Sequence, residues 1–463
     1  MNNENYPEIW QWSSDFQSGK MTPRDALELC LTRIDRFDPK LGAFEIVYEH
    51  EARQAADAAT HAFDSGHRIG PFHGIPFALK DIIDLEGRIT TGGSKVFANR
   101  VSPATATVAK RLISAGGILV GKTKTVEVAM GGWGTNQQMG TPWNPWDLKT
   151  HRTPGGSSSG SAVAVASGMV SCAVGTDTGG SVRGPSAWCG IVGLKTTEGQ
   201  IPTDGIIPLS HTLDTAGPMA RSVSDTALMY AVMLGQHPVD IDQDRSQGQG
   251  LYSEMSQGVA GLRLGVLNNL ERTRVASDIL DLYDAACEAL AQLGAELVTF
   301  NGPMGFDDMK EATGVIIFSE GYFHHGDMYE QQGAQIDTDV RPRILSGAAF
   351  SARDYVAALQ QRRQDQKLFL QNMTGLSALL TPTMPTPPIP LDEVDQGSTP
   401  AYFTRAGNYL GLCGLSVPVG LTGDGLPGGL QILGRGSEEG MTLRIGAAFE
   451  QKVGPFLHPQ IDR

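Results

Sequence analysis

Apolar positions recur along the chain with two spacings, and each spacing predicts its own element. Helical spacing, with apolar residues three and four apart, predicts a short helix from Ile9 to Phe16 that carries Trp10 and Trp12. Thr22-Pro23-Arg24-Asp25 then reads as an N-cap with proline at the first helical position, opening a helix through Leu27, Cys30, Leu31 and Ile34. An alanine-rich helix from Glu51 to Ser65 stops at Gly66, so three helices are expected before any strong strand. Further on, Thr105 to Gly121 reads as helix, double glycine and short β-run, which is an α/β unit.

The second half repeats that alternation. Ser222 caps a helix to Leu234, Gln243 to Gly250 is polar enough to be a surface connection, and Leu262 to Leu267 is a strand. A helix from Asp278 to Leu293 places Ile279, Leu282, Tyr283, Ala286, Leu290 and Leu293 on one face, and Glu296 to Phe300 returns as a strand. Helices near 312–329 and 352–373 precede a strand at Leu376 to Leu380, and the proline-dense run Thr381 to Pro390 reads as an extended surface loop. Gly407 to Gly420 and Gly429 to Gly434 mix glycine with apolar residues as buried strands do, and a last helix spans Glu438 to Glu450.

Two features break this scaffold pattern. The apolar run Ile75-Pro76-Phe77-Ala78-Leu79 delivers one lysine, Lys80, at its end. Most lysines in such places reach for water, but one held inside apolar walls loses its proton more readily, because desolvation penalises the ammonium. The stretch Thr153 to Lys195 holds two Gly/Ser loops, Gly155 to Ser161 and Thr176 to Ser181. Between them lie a small-residue helix, Ala162 to Ala166, and a β-rich run, Met169 to Val174. Consecutive glycines let backbone N–H groups converge, as in an anion cradle or an oxyanion hole.

Simpler readings of those loops fit less well. A flexible linker would not be this short or flanked by apolar residues. The first loop lacks the Gly-Lys-Ser/Thr ending of a phosphate-binding loop, and neither loop spells G-x-G-x-x-G. Gly156 to Gly160 matches G-x-S-x-G around Ser158, but that elbow must follow a buried strand, and Asp147 to Pro154 is polar. A third loop, Met130-Gly131-Gly132-Trp133-Gly134, sets one large aromatic among residues that let a ligand approach the backbone. It is a candidate for substrate binding, with packing on a neighbouring loop as the other reading of Trp133.

Length alone, at 463 residues, suggests about three domains, yet no internal repeat or domain break is visible. The expectation is one domain over 1–463, with a helical part at 20–70, a core at 71–235 and the rest of the sheet and pocket at 236–463. With 50 Asp and Glu against 36 Lys and Arg, the net charge of −14 disfavours a nucleic-acid surface. MNNENYPEIWQW has no basic, apolar leader pattern, and no apolar run has the length of a membrane span, so a cytoplasmic protein is expected. Cys30, Cys172, Cys189, Cys287 and Cys413 are scattered and read as buried free thiols. His324-His325 is the one histidine cluster, and no metal is implied.

Taken in order, Lys80, the Gly-Gly-Ser-Ser loop and Thr-Asp-Thr-Gly-Gly-Ser-Val-Arg resemble the amidase signature family of serine hydrolases. The likeness continues through Cys189 to Lys195, Asp214 to Met219 and Leu430 to Ile432. The resemblance implies an α/β fold with a central mixed β-sheet covered by helices on both faces. It implies a triad of Ser181 as nucleophile, Ser157 as bridging serine and Lys80 as base, with a cis peptide before Ser157. It also implies an oxyanion hole from the N–H groups of Thr178, Gly179, Gly180 and Ser181, no cofactor, and a homodimer. Asp177 and Arg183 flank the nucleophile, either as an ion pair that fixes the loop or with Arg183 taking a substrate carboxylate. Ser159 stands where a glycine is common and Thr196 where many members have proline.

The function so implied is hydrolysis of a small or medium carboxamide through an acyl-enzyme on Ser181. One alternative is the glutaminase component of a glutamyl-tRNA amidotransferase, which usually carries Ala-Ser-Ser-Leu-Asp-Gln where this chain has Leu209 to Thr215 and which depends on partner subunits. Another is a non-catalytic binding protein of the same fold. Specificity is expected to rest on Met130 to Gly134, the helix around Tyr322 to His325, and Ala401 to Leu410.

Overall fold

The computed structural model describes residues 8–462. Its strands are β1 (Phe44–Val47), β2 (Pro76–Lys80), β3 (Ile118–Thr123), β4 (Cys172–Asp177), β5 (Val192–Lys195), β6 (Thr215–Ala220), β7 (Arg263–Leu267), β8 (Glu296–Phe300), β9 (Ala378–Pro382), β10 (Cys413–Leu421) and β11 (Pro427–Gly434). They form one 11-stranded sheet in the order β1-β3-β2-β4-β6-β5-β10-β11-β9-β7-β8. β2 lies parallel to β3 and β4, and β7 lies parallel to β8 and β9; the other neighbours are antiparallel. This is the mixed α/β sheet that the resemblance implied.

Both faces are covered, as the side-chain alternation along each strand shows. Phe77, Leu79, Cys172 and Val174 join one apolar cluster, which also holds Leu228 and Leu443, while Ala78, Ala173 and Met219 join another with Leu27, Leu31 and Val163. A strand buried on both sides has no polar face to show, which is why β2 and β4 read as near-continuous apolar runs. Helix Ser159–Ala166 is buried at every residue, and a Cβ at Gly160 would stand 2.2 Å from the Ala43 carbonyl oxygen, so only small side chains fit there. No helix among the described residues is long and apolar enough to cross a membrane.

Several elements differ from the sequence expectation. β1 precedes the third helix, Glu49–Asp64, as a short edge strand, so two helices rather than three come first. The central strand starts at Cys172 because Ser167 and Gly168 (φ +69°) end the preceding helix and Met169 turns back to bond the Ala164 carbonyl. Residues 243–247 belong to helix Pro238–Gln247, which has proline in its first turn, the His237 ring accepting from the Val239 N–H, and Gly248 in the left-handed region at its end. Arg405–Tyr409 is a helix leading into β10, which begins only at Cys413. The proline-dense run is not a surface loop: Thr381, Thr383 and Met384 are buried, the first of them in β9.

Candidate active site

Because β2 and β4 are parallel neighbours, with Leu79 opposite Val174, their carboxyl ends open at the same edge of the sheet. β2 ends in Lys80 and β4 ends in Asp177, followed by the loop Thr178-Gly179-Gly180-Ser181. The first glycine-serine loop lies against the second, with the Ser158 N–H donating to the Ser181 carbonyl at 3.3 Å. Its Gly156–Ser157 bond is cis, as the resemblance implied.

Lys80 is fully buried, and its Nζ is 2.6 Å from Ser157 Oγ and 2.8 Å from Thr176 Oγ1. Three lysines in this core lose all their solvent, and their partners separate them. Lys122 is ion-paired with Asp81 at 2.9 Å, and Lys195 donates to the carbonyls of Thr196 and Leu412, both at 2.8 Å. Lys80 instead faces two hydroxyls, with no carboxylate within ion-pair distance among the described residues. Burial pushes its amine from 10.5 down to about 7, against the opposing pull of Asp214 and Asp177. A lysine in that range exists partly as the neutral amine, which can accept a proton from a hydroxyl.

Asp177 organises the loop that carries Ser181. Burial opposes its charge, but the fully buried Arg183 guanidinium holds its carboxyl well below the usual range, through bonds of 3.0 Å from Nε and 2.9 Å from Nη2. The remaining Arg183 donors reach Asn408 Oδ1 at 2.6 Å and Gln431 Oε1 at 2.7 Å. Arg183 therefore serves as the ion pair that fixes the loop, with no solvent-facing donor left for a substrate carboxylate. The Gly180 N–H donates to Asp177 Oδ1 at 2.7 Å, so this expected oxyanion donor is already committed to a buried carboxylate. The N–H groups of Thr178, Gly179 and Ser181 have no acceptor among the described residues. Gly180 has φ +132°, and a Cβ there would lie 2.2 Å from Thr404 Oγ1, so the turn needs glycine.

A cavity of about 1110 Å³ opens over this loop. Gly156, Thr178, Gly179, Gly180 and Ser181 form its floor, and Met130, Gly131 and Gly132 also line it. Trp133 is not on the wall: its ring stacks on Trp188 with centroids 5.6 Å apart, and Nε1 donates to the Ser398 carbonyl at 3.2 Å. The helix Phe306–Glu330 faces the cavity through residues between Lys310 and Phe318, not through Tyr322 to His325. His325 instead bonds the Pro208 carbonyl at 2.7 Å, and His324 the His211 ring at 3.1 Å. From 401–410, Ala401, Thr404 and Arg405 reach the cavity.

Sequence reasoning missed Thr176 as the second contact of Lys80, and Asp214, whose buried carboxyl is pushed up to about 6 while accepting from Thr178 Oγ1 and the Leu209 and Ser210 N–H groups. Both stand inside the quoted motifs, but strand alternation alone would have put Thr176 on the face opposite Lys80, because Leu79 lies level with Val174. Ser159 is the first residue of the buried helix, and its hydroxyl has no hydrogen-bond partner among the described residues. Thr196 Oγ1 donates to the Ala216 carbonyl at 3.0 Å.

A buried amine against a serine hydroxyl, beneath glycine-rich N–H groups on a cavity floor, marks an enzyme that cleaves bonds at a carbonyl carbon. Residues 25–443 match the model of the family described as Amidase. The chain is 35% identical over 456 residues to the A-type subunit of glutamyl-tRNA(Gln) amidotransferase from Geobacter metallireducens, covering 92% of this chain and 93% of that protein. It is 34% identical to 2-amino-5-chloromuconic acid deaminase of Comamonas testosteroni, covering 94% of each. The crystal structure of peptide amidase from Stenotrophomonas maltophilia superposes with a TM-score of 0.84 at 28% identity, over 98% of this chain and 99% of that one. The chain belongs to the amidase signature family, enzymes that hydrolyse carbon–nitrogen bonds of amides.

Proposed function

We propose that the protein hydrolyses a small or medium carboxamide through an acyl-enzyme on Ser181, without a cofactor. The observation that carries this reading is the fully buried Lys80 amine, set against Ser157 Oγ at 2.6 Å with no carboxylate to hold its proton. In the first half-reaction Ser181 Oγ forms a bond to the amide carbon as its proton passes to Ser157, whose own proton passes to Lys80. Negative charge gathers on the carbonyl oxygen, where the N–H groups of Thr178, Gly179 and Ser181 are the available donors. Lys80 then returns its proton through Ser157 to the departing nitrogen as the carbon–nitrogen bond breaks. Water repeats the sequence on the ester, releasing the acid and restoring Ser181.

Replacement of Ser181 by alanine is expected to abolish both amide hydrolysis and labelling by a fluorophosphonate probe. Labelling that persists in S181A would refute the assignment of the nucleophile.

The similarity to the glutamyl-tRNA(Gln) amidotransferase component favours a second reading, a glutaminase that works only with partner subunits. Leu209 to Thr215, which departs from the pattern such components carry, supports the stand-alone enzyme. Glutamine hydrolysis that appears only with co-purified partner subunits would reverse this preference.

A further inference from the structure

Two guanidinium groups on the cavity wall lack an anionic partner. Arg405 donates through Nη1 to the Lys310 carbonyl at 2.8 Å. Arg343 donates to the carbonyls of Met130, at 3.1 Å, and Gln396, at 2.6 Å, and to Gln396 Oε1 at 2.7 Å. Neither has a carboxylate within 4.0 Å among the described residues. The other charged groups of the wall are otherwise engaged: Lys310 pairs with Asp307 at 2.8 Å, Glu311 is 81% exposed, and Asp339 accepts from Gln137 Nε2 at 2.6 Å.

Arg405 is also the cavity-wall cation that stands against the Ser181 loop. Its Cγ and Nε would stand 3.3 and 3.7 Å from a Cβ placed on Gly179, one of the residues whose N–H is unclaimed. Thr404, its neighbour in sequence, bonds the Gly179 carbonyl at 2.8 Å and so ties that stretch of chain to the loop. Desolvation pushes the Arg405 guanidinium down to about 10, against the opposing pull of the exposed Glu311 carboxylate, and the positive charge of Arg343 adds to the lowering. A partly buried cation with unused donors and a like charge near it is stabilised by an anion entering the space.

We propose that Arg405 is a specificity-determining residue that takes the carboxylate of an anionic amide substrate, a few bonds from the scissile carbonyl. This inference rests on the amidase reading and names the substrate class of that same site. The planar fork of arginine pairs with both oxygens of a carboxylate, and such charged hydrogen bonds separate anionic from neutral ligands by about tenfold to a hundredfold. A neutral amide of equal length fills the same space and leaves the guanidinium unpaired.

The test compares kcat/KM for succinamate and glutaramate, with the charge on the acyl side, and for N-acetylglycine, with the charge on the amine side, against neutral butyramide and N-ethylacetamide. At least one anionic amide is expected to exceed its neutral counterpart by about tenfold or more. In R405Q that ratio is expected to collapse towards unity, chiefly through KM, and R405K is expected to recover part of it. Protection of Ser181 from fluorophosphonate labelling by succinate or glutarate gives a second measurement on the unmodified enzyme, independent of how the variants fold. A wild-type enzyme that prefers the neutral amides, a preference that survives in R405Q, or labelling untouched by either dicarboxylate would overturn the inference. Each of those outcomes leaves the amidase reading standing, whereas labelling that persists in S181A refutes the nucleophile alone.

Discussion

Lys80 concentrates the conflict between stability and function into one side chain. Its amine is lowered from 10.5 to about 7 in the folded protein, so between those values the unfolded chain binds more protons than the folded one. Wild-type stability therefore rises with pH across that window, and the cost of burying the lysine is fully present below pH 7. A Lys80→Met variant is expected to lose amide hydrolysis while gaining about 1–3 kcal/mol at neutral pH, since replacing a buried charge by an apolar side chain often stabilises. Urea titrations at several pH values check this, and the gain should shrink as pH approaches 10.5. Activity carries the same signature with the same sign: kcat/KM of the wild type should climb as pH rises through about 7, because only the neutral amine accepts a proton. A flat profile, with chemistry limiting turnover, would contradict the role of Lys80.

At the scale of elements, the loop after β4 is held by one carboxylate. Asp177 takes two bonds from the Arg183 guanidinium and one from each of the Gly180 and Val182 N–H groups, all in the interior. Removing its charge strands a buried guanidinium, so Asp177→Asn is expected to cost about 3–5 kcal/mol in chemical denaturation and to lower kcat by displacing Ser181. Much of this element was readable in advance. The run of small residues after Gly160 announced a tightly packed helix, and consecutive glycines announced a turn that side chains would block. The engagement of the Gly180 N–H was not readable, because the Asp177 carboxylate claims it only once the loop has folded back on itself.

Across the whole molecule, the sheet joins residues far apart in sequence into one body, from β1 near the beginning to β11 near the end. All five cysteines are buried in it, and burial pushes the Cys30 and Cys287 thiols up to about 12. The folded protein is therefore expected to resist an aromatic disulfide reagent at neutral pH. The five thiols should appear together as denaturant unfolds the chain, and early release of a subset would show that part of the sheet opens independently.

What the sequence determined by itself was local: alternation that buries β2 and β4 on both faces, caps and glycines that start and stop helices, and motifs whose order marks Lys80, Ser157 and Ser181. Those follow from spacing and side-chain chemistry, which the chain carries wherever it goes. Tertiary structure decided what depends on meeting at a distance. It alone turned Trp133 onto Trp188, closed Arg183 inside a shell that includes Asn408 and Gln431, buried the Thr381 to Met384 run, and left Arg405 facing the cavity without a carboxylate. A side chain's partner across hundreds of residues is set by sheet order and packing, and no local pattern encodes it.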